Sequence, residues 1–449
     1  MRRLVPLAAA LLAASACALP SSPPAGEVAA VPTPSADDRR RDAALHFVRA
    51  LAAGDADTAA ARVDPAAAAA MSGPQLRTIW TQLTGQLGAL DSLAPYDVVA
   101  EGARHSVDLA AHFARSEVTL RVVLDSADRV TGLWVRAPRP APYAPPSYAD
   151  TARFREVELT LGAAPTLPAT LTLPRDVERA PVVVLVHGSG PNDRDETIGP
   201  NRPFRDLAWG LASQGIAVLR YDKRSRAHPG SLPTPITVEH EVVLDALAAL
   251  DAARAAEGVD PARVFLLGHS LGAALAPEIA ARDGRVAGVV MLAPPGRPSA
   301  AVLTEQLSYL DSLGRAAGQA ADPQVAAALP VLERLARREL PAATNVLGVP
   351  AGYWYDLDDR RPLERARTLT APLALHFGGR DYQVTAEDAR LWREALAGRP
   401  ATVREWPELN HLFVAGSGRA TPAEYTGRPG HVAEPVVREI ARFVKDAPR

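Results

Sequence analysis

Apolar residues follow two different rhythms along this chain, and the change of rhythm divides it. From Asp37 onward Ala44, Phe47, Val48 and Leu51 recur at helical spacing, and Gly54 follows as a stop signal. Leu76, Ile79, Leu83 and Leu87 mark a second helix. Val118, Leu120, Val122 and Leu124 then alternate with polar residues. After a turn near Asp128, Val130 and the run Leu133-Trp134-Val135 complete a hairpin. Helices followed by strands predict a small α+β domain over residues 37–137.

Pro138–Pro146 reads Pro-Arg-Pro-Ala-Pro-Tyr-Ala-Pro-Pro, which sustains neither a helix nor an inner strand and predicts a semi-rigid linker over 138–149. Beyond it the rhythm changes. Strand-like segments at Val157–Leu161 and Ala169–Leu173 precede the unbroken apolar run Val182–Val186, as a parallel strand buried on both faces requires. Ile216–Tyr221, Val264–Gly268, Val289–Leu292 and Leu373–Phe377 repeat the pattern, with helical stretches such as Val242–Ala255 between them. The alternation predicts an α/β domain over 150–449, with a mostly parallel sheet and helices on both faces. The spacing breaks over 299–370, where Ala, Leu and Arg-rich helical sequence predicts a lid-like insertion above the strand ends.

The length of 449 residues agrees with two domains. A net charge of −2, with cations interspersed among acids, excludes the basic footprint of a nucleic-acid binder. At the start, Arg2 and Arg3 precede Leu4–Ala14, an apolar run too short to span a bilayer, so residues 1–17 read as a secretory signal. Cys17 follows Ala14-Ser15-Ala16 and resembles the lipobox of bacterial lipoproteins. That resemblance implies lipidation of Cys17 and export to the extracytoplasmic face of a bacterial membrane. A chance cysteine in a plain signal peptide is the alternative. The Pro-rich residues 18–36 suit a flexible tether. Cys17 is the one cysteine of the sequence, so no disulfide is expected.

The candidate chemistry lies in the second domain. Gly268-His269-Ser270-Leu271-Gly272 follows an apolar strand and precedes the helical run Ala273–Ala281, the strand–turn–helix setting of a nucleophile elbow. Ser270 is the candidate nucleophile, and a serine hydroxyl needs a base with an orienting acid. In α/β hydrolases, which this motif resembles, acid and then base follow in chain order, each after a later strand. Asp381, in Gly378-Gly379-Arg380-Asp381, follows Leu373–Phe377; Asp356, Asp358 and Asp359 compete without a preceding strand. His411 follows the strand Thr402–Trp406, with His431 as rival, and His376 sits inside a strand run. For the oxyanion the fold offers the backbone N–H of Leu271 and one from His187-Gly188-Ser189-Gly190. Ser189 is favoured, with Gly188 and Gly190 as alternatives. His46, His105 and His112 in the first domain show no catalytic pattern. The acidic cluster Asp193, Asp195 and Glu196 matches no calcium-loop spacing and reads as a solvated or salt-bridged loop. No metal or cofactor is expected. Tyr353-Trp354-Tyr355 read equally as pocket wall or packing anchors.

Together His187–Asp195, Tyr221-Asp222-Lys223-Arg224, Gly268–Gly272, Arg380–Val384 and Leu409-Asn410-His411-Leu412-Phe413 resemble a bacterial serine carboxylesterase family of the α/β-hydrolase superfamily, from about residue 150 to the C-terminus. Ser225 departs from the glycine that commonly follows Tyr-Asp-Lys-Arg. The first domain resembles the nuclear-transport-factor-like domain that precedes some bacterial hydrolases. The resemblance implies hydrolysis of small-molecule carboxylic esters through an acyl-enzyme on Ser270, Asp381 and His411. A peptidase or thioesterase on the same residues, and a non-catalytic binding protein of the same fold, stay open at this point. Nothing in the sequence sets an oligomeric state.

Overall fold

A computed structural model describes residues 35–102, 104–114, 116–136, 143–162, 164–318 and 320–447. The expected signal segment, Cys17 and nearly all of the expected tether lie outside the described residues. The chain divides into two compact units, Met1–Arg139 and Pro140–Arg449, each with its own apolar core.

In the first unit the helix Ala36–Ala52 starts on a capping box between Ser35 and Asp38, and helices Ala56–Ala60 and Gly73–Leu87 follow. They pack on an antiparallel meander of β1 (Leu90–Glu101), β2 (Arg104–Phe113), β3 (Ser116–Leu124) and β4 (Val130–Arg136). Phe47, Leu51, Leu76 and Trp80 from the helices meet Leu109 and Leu120 from the strands. Two strands thus precede the predicted hairpin. In the helix Gly73–Leu87, Leu76, Leu83 and Leu87 meet the core as predicted, but Trp80 is buried in place of Ile79, which is 45% exposed.

The second unit is built on an eight-stranded sheet. Its strands are β5 (Phe154–Leu161), β6 (Leu167–Pro174), β7 (Ala180–Val186), β8 (Ala217–Tyr221), β9 (Val259–His269), β10 (Gly288–Leu292), β13 (Leu373–Gly378) and β14 (Ala401–Trp406), with the two-residue strands β11 (Asn345–Val346) and β12 (Val349–Pro350) in a separate small hairpin. The order is β14-β13-β10-β9-β7-β8-β6-β5. Strands β7 to β10, β13 and β14 are parallel; β5 and β6 join antiparallel at one edge. Val182–Val186 are wholly buried because helices cover both faces: Pro203–Ala212 packs with Glu434–Asp446, and Leu244–Ala255 with Leu271–Asp283.

Successive crossovers leave β7 to opposite sides, toward β8 and then toward β9. A crevice therefore opens at the carboxyl ends of β7 and β9, the switch point where open α/β sheets bind ligands. Between β10 and β13 the chain forms helices Ser299–Ala316, Pro323–Ala336, Ala351–Asp359 and Pro362–Thr368. This insertion has a small apolar cluster of its own, including Leu332, Leu335, Leu340 and Val346.

The later part of the predicted linker is built into the second unit. The Tyr143 hydroxyl donates to Asp206 and the Tyr148 hydroxyl to the Val432 carbonyl, each at 2.6 Å. The two tyrosines here dock on the unit, because each phenol finds a buried acceptor. Among the described residues no helix is long and apolar enough to cross a membrane.

Candidate active site

Strand β9 ends at His269, and Ser270 turns the chain into the helix Leu271–Asp283 with φ 51° and ψ −114°. A non-glycine residue held there costs about 1–3 kcal/mol, so the surroundings must enforce it. Two features do. The Ser270 N–H donates to the Leu292 carbonyl at 2.8 Å, and the turn crosses β7 so closely that a Cβ on Gly272 would sit 2.2 Å from the Val186 carbonyl oxygen. The serine is thereby fixed at the N-terminus of a helix, where partial positive charge gathers.

Asp381 and His411 come from the loops after β13 and β14. His411 Nδ1 and Asp381 Oδ2 are 2.6 Å apart and both residues are buried. The other carboxylate oxygen accepts the N–H groups of Gln383 at 2.7 Å and Val384 at 3.1 Å, which fixes the acid. With its Nδ1 proton on Asp381, the His411 ring leaves Nε2 free to accept. Asn410 shapes the loop, its Oδ1 accepting from the N–H groups of Leu412 and Val414. Ser270, His411, Gly188, Ser189 and Leu271 all line one cavity of about 750 Å³. The insertion contributes Leu303, Trp354 and Leu357 to its wall.

Among the described residues, neither the Ser189 nor the Leu271 N–H has a hydrogen-bond partner. The loop carrying Ser189 passes close to the serine: a Cβ on Gly188 would lie 3.1 Å from Glu196 Oε1 and 3.3 Å from the Ser270 Cβ. A side chain there would press on both groups, so glycine suits the close approach.

The competing residues are engaged by other partners, although Asp358 also lines the cavity. His431 pairs with Asp206 at 3.0 Å, and His376 is a core residue whose Nδ1 accepts from the Trp406 indole; burial pushes His376 down to about 3. Asp356 pairs with Arg360, Asp358 accepts from Ser299, and Asp359 pairs with Arg338. Of the three aromatics, Trp354 faces the cavity, whereas the hydroxyls of Tyr353 and Tyr355 bond Glu241 and the Leu340 carbonyl.

The sequence reading missed a buried ion pair beneath the site. Glu196, expected in a solvated or salt-bridged loop, is 1% exposed and its Oε2 lies 2.9 Å from His269 Nδ1. Glu196 Oε1 also accepts the Gly188 N–H at 2.6 Å. His269 Nε2 faces the His411 carbonyl oxygen at 3.0 Å. A carbonyl only accepts, so that nitrogen carries a proton. A carboxylate faces Nδ1, and its charge favours the protonated ring. Burial pulls His269 down, but the charge and hydrogen bonding of Glu196 win and hold it above the ordinary histidine value. For His187 burial outweighs the Glu196 charge and pushes the ring down to about 4. The pair ties the Gly188 loop to the backbone of His411. Its only sequence signal is an acid in the loop directly after the glycines and a histidine next to the elbow serine.

Residues 183–425 match the alpha/beta hydrolase family. The chain belongs to that family. Residues 44–133 match a second family, described as a protein of unknown function (DUF3887). The α/β hydrolase is 42% identical over 402 residues to esterase EstD of Thermotoga maritima, covering 89% of this chain and 94% of EstD. It is 34% identical over 64 residues to a carboxymethylenebutenolidase of a Pseudomonas species, which covers 14% of this chain and 27% of that protein. Among solved structures, Est1E from Butyrivibrio proteoclasticus superimposes with a TM-score of 0.43 at 17% identity, covering 65% of this chain and 98% of Est1E.

Proposed function

We propose that this carboxylic ester hydrolase works through an acyl-enzyme on Ser270, with His411 as general base and acid and Asp381 as its orienting partner. The observation that carries the reading is the His411–Asp381 contact of 2.6 Å beside a serine on a strained elbow, all opening on one cavity. Ser270 Oγ attacks the ester carbonyl carbon while its proton passes to His411 Nε2. The carbonyl electron pair moves onto oxygen, where the N–H groups of Leu271 and Ser189 receive it. When that pair returns, the alkoxide leaves and takes the proton from His411. Water repeats the sequence on the acyl-serine and releases the acid. The similarity to esterase EstD over most of both chains supports an ester rather than an amide as substrate.

Purified protein is expected to hydrolyse nitrophenyl esters at least about a hundredfold faster than matched aminoacyl nitroanilides. Equal rates on both would point to a peptidase. A chain beginning at residue 140 keeps Tyr143, Tyr148 and every residue of the proposed site. Its kcat/KM on nitrophenyl acetate is expected within about tenfold of full length, a barrier change of roughly 1.4 kcal/mol. A folded truncation without acetate activity would place the first unit in the chemistry.

We also propose export and lipid anchoring through Cys17. The lipobox-like sequence supports this, and several acyl chains on one terminus suffice for firm attachment. Cys17→Ser is expected to move the protein from the membrane to the soluble fraction. Mass spectrometry of a wild-type N-terminus free of lipid would overturn the assignment.

A further inference from the structure

The Tyr-Asp-Lys-Arg motif carries a lysine that the proposed mechanism leaves unused. Lys223 is 2% exposed, and its Nζ donates to the Gly188 carbonyl oxygen at 3.0 Å and pairs with Glu241 Oε1 at 3.1 Å. Glu241 sits in a π-helical turn, Glu239–Val243, that turns it inward. Its other oxygen accepts the Tyr353 hydroxyl at 2.6 Å, and Tyr353 belongs to the insertion helix Ala351–Asp359. Asn192 Nδ2 donates to the same Gly188 oxygen at 3.2 Å. Two donors thus converge on one carbonyl, one of them a buried cation.

That carbonyl is half of the peptide unit whose other half is the Ser189 N–H. The bond is trans, so C=O and N–H point in opposite directions. Gly188 and Ser189 line the cavity and Lys223 does not. A cation on the oxygen side therefore aims the N–H at the cavity and draws electron density away from it. Hydrogen-bonded amides polarise one another in this way, and charge-assisted bonds do so most strongly.

We infer that Lys223 is a positioning residue for the oxyanion hole, orienting and polarising the Gly188–Ser189 peptide, with Glu241 and Tyr353 holding its ammonium from the insertion side. Burial draws Lys223 below the ordinary lysine value, and Glu241 opposes that pull. The lysine touches no reacting atom. Its effect is on charge that develops only in the transition state, so it belongs in kcat and not in ground-state binding.

The inference rests on the Ser270 reading, and the experiment keeps the two apart. Lys223→Met strands Glu241, so the neutral pair Lys223→Met/Glu241→Gln is the main variant: it keeps shape and an acceptor for Tyr353. Asn192→Ala, at a half-buried position, tests the same carbonyl with little risk to folding. With nitrophenyl acetate the double variant is expected to lose at least about tenfold in kcat with KM within about threefold. Affinity for an alkyl trifluoromethyl ketone, which forms an oxyanionic adduct with the serine, should fall by the same factor as kcat/KM. Asn192→Ala should show the same signature at about threefold. A folded double variant with kcat within twofold of wild type overturns the inference, as does Asn192→Ala with unchanged kcat and ketone affinity. An active Ser270→Ala protein would instead overturn the underlying site.

Discussion

Replacing Ser270 with Ala is expected to lower kcat on nitrophenyl esters by at least about a thousandfold and to abolish labelling by a fluorophosphonate. The size follows from what is removed. The acyl-accepting oxygen disappears, while the cavity and both free N–H groups stay, so a small residual rate over water persists. Folding should be unaffected, because alanine bears a Cβ as serine does and meets the same constraint at φ 51°. The melting temperature is therefore the control. An alanine variant that folds as wild type and retains more than about a hundredth of its activity would remove Ser270 from the mechanism.

His411→Ala is expected to cost a similar factor, and His431→Ala to leave kcat within about twofold. Both histidines pair with a buried aspartate, at 2.6 and 3.0 Å, so pairing alone does not distinguish them. Position does: His411 lines the cavity with Ser270, and His431 does not. The His431 substitution should appear in stability instead. The hydrogen bond that the His431 ring donates to Asp206 raises the His431 value above the ordinary one, with burial opposing. A raised folded value means a stabilising contribution that is fully present below the ordinary histidine pKa of about 6.5 and lost as pH climbs through the raised value. His431→Ala should thus lower the melting temperature more at pH 5.5 than at pH 9. A variant as inactive as His411→Ala would exchange the two roles.

Much of this architecture is legible before any coordinates. Val182–Val186 and Val264–Leu267 read as inner strands because burial on both faces demands unbroken apolar runs. The elbow reads because so tight a turn tolerates few side chains. Strands β1 and β2 escape for the opposite reason. Pro95 and Asp97 interrupt β1, and Asp108, buried in β2, is matched by Arg121 across the meander at 2.6 Å. β2 does alternate, with Val107, Leu109, Ala111 and Phe113 buried, but Asp108 and Ala110 between them blunt the signal. Glu196 and Lys223 escape because their partners lie on different strands' loops, so the same letters fit a solvated loop and a buried charge network. Only proximity in the fold decides between them, as it does for residues 143–148, where prolines suggested a linker and two tyrosines dock.

The insertion between β10 and β13 draws much of its cohesion from its own small cluster of Leu332, Leu335, Leu340 and Val346. Natural selection can therefore reshape it with little penalty to the sheet. Changes at Leu303 or Leu357, which face the cavity, would alter which acyl groups fit while the reacting atoms stay in register. Diversification has boundaries where the insertion grips the scaffold, at Tyr353 on Glu241 and Arg360 on Glu278. In descendants of this chain, drift in ester preference should concentrate in the cavity-facing leucines, with those two anchors retained as hinges of inheritance.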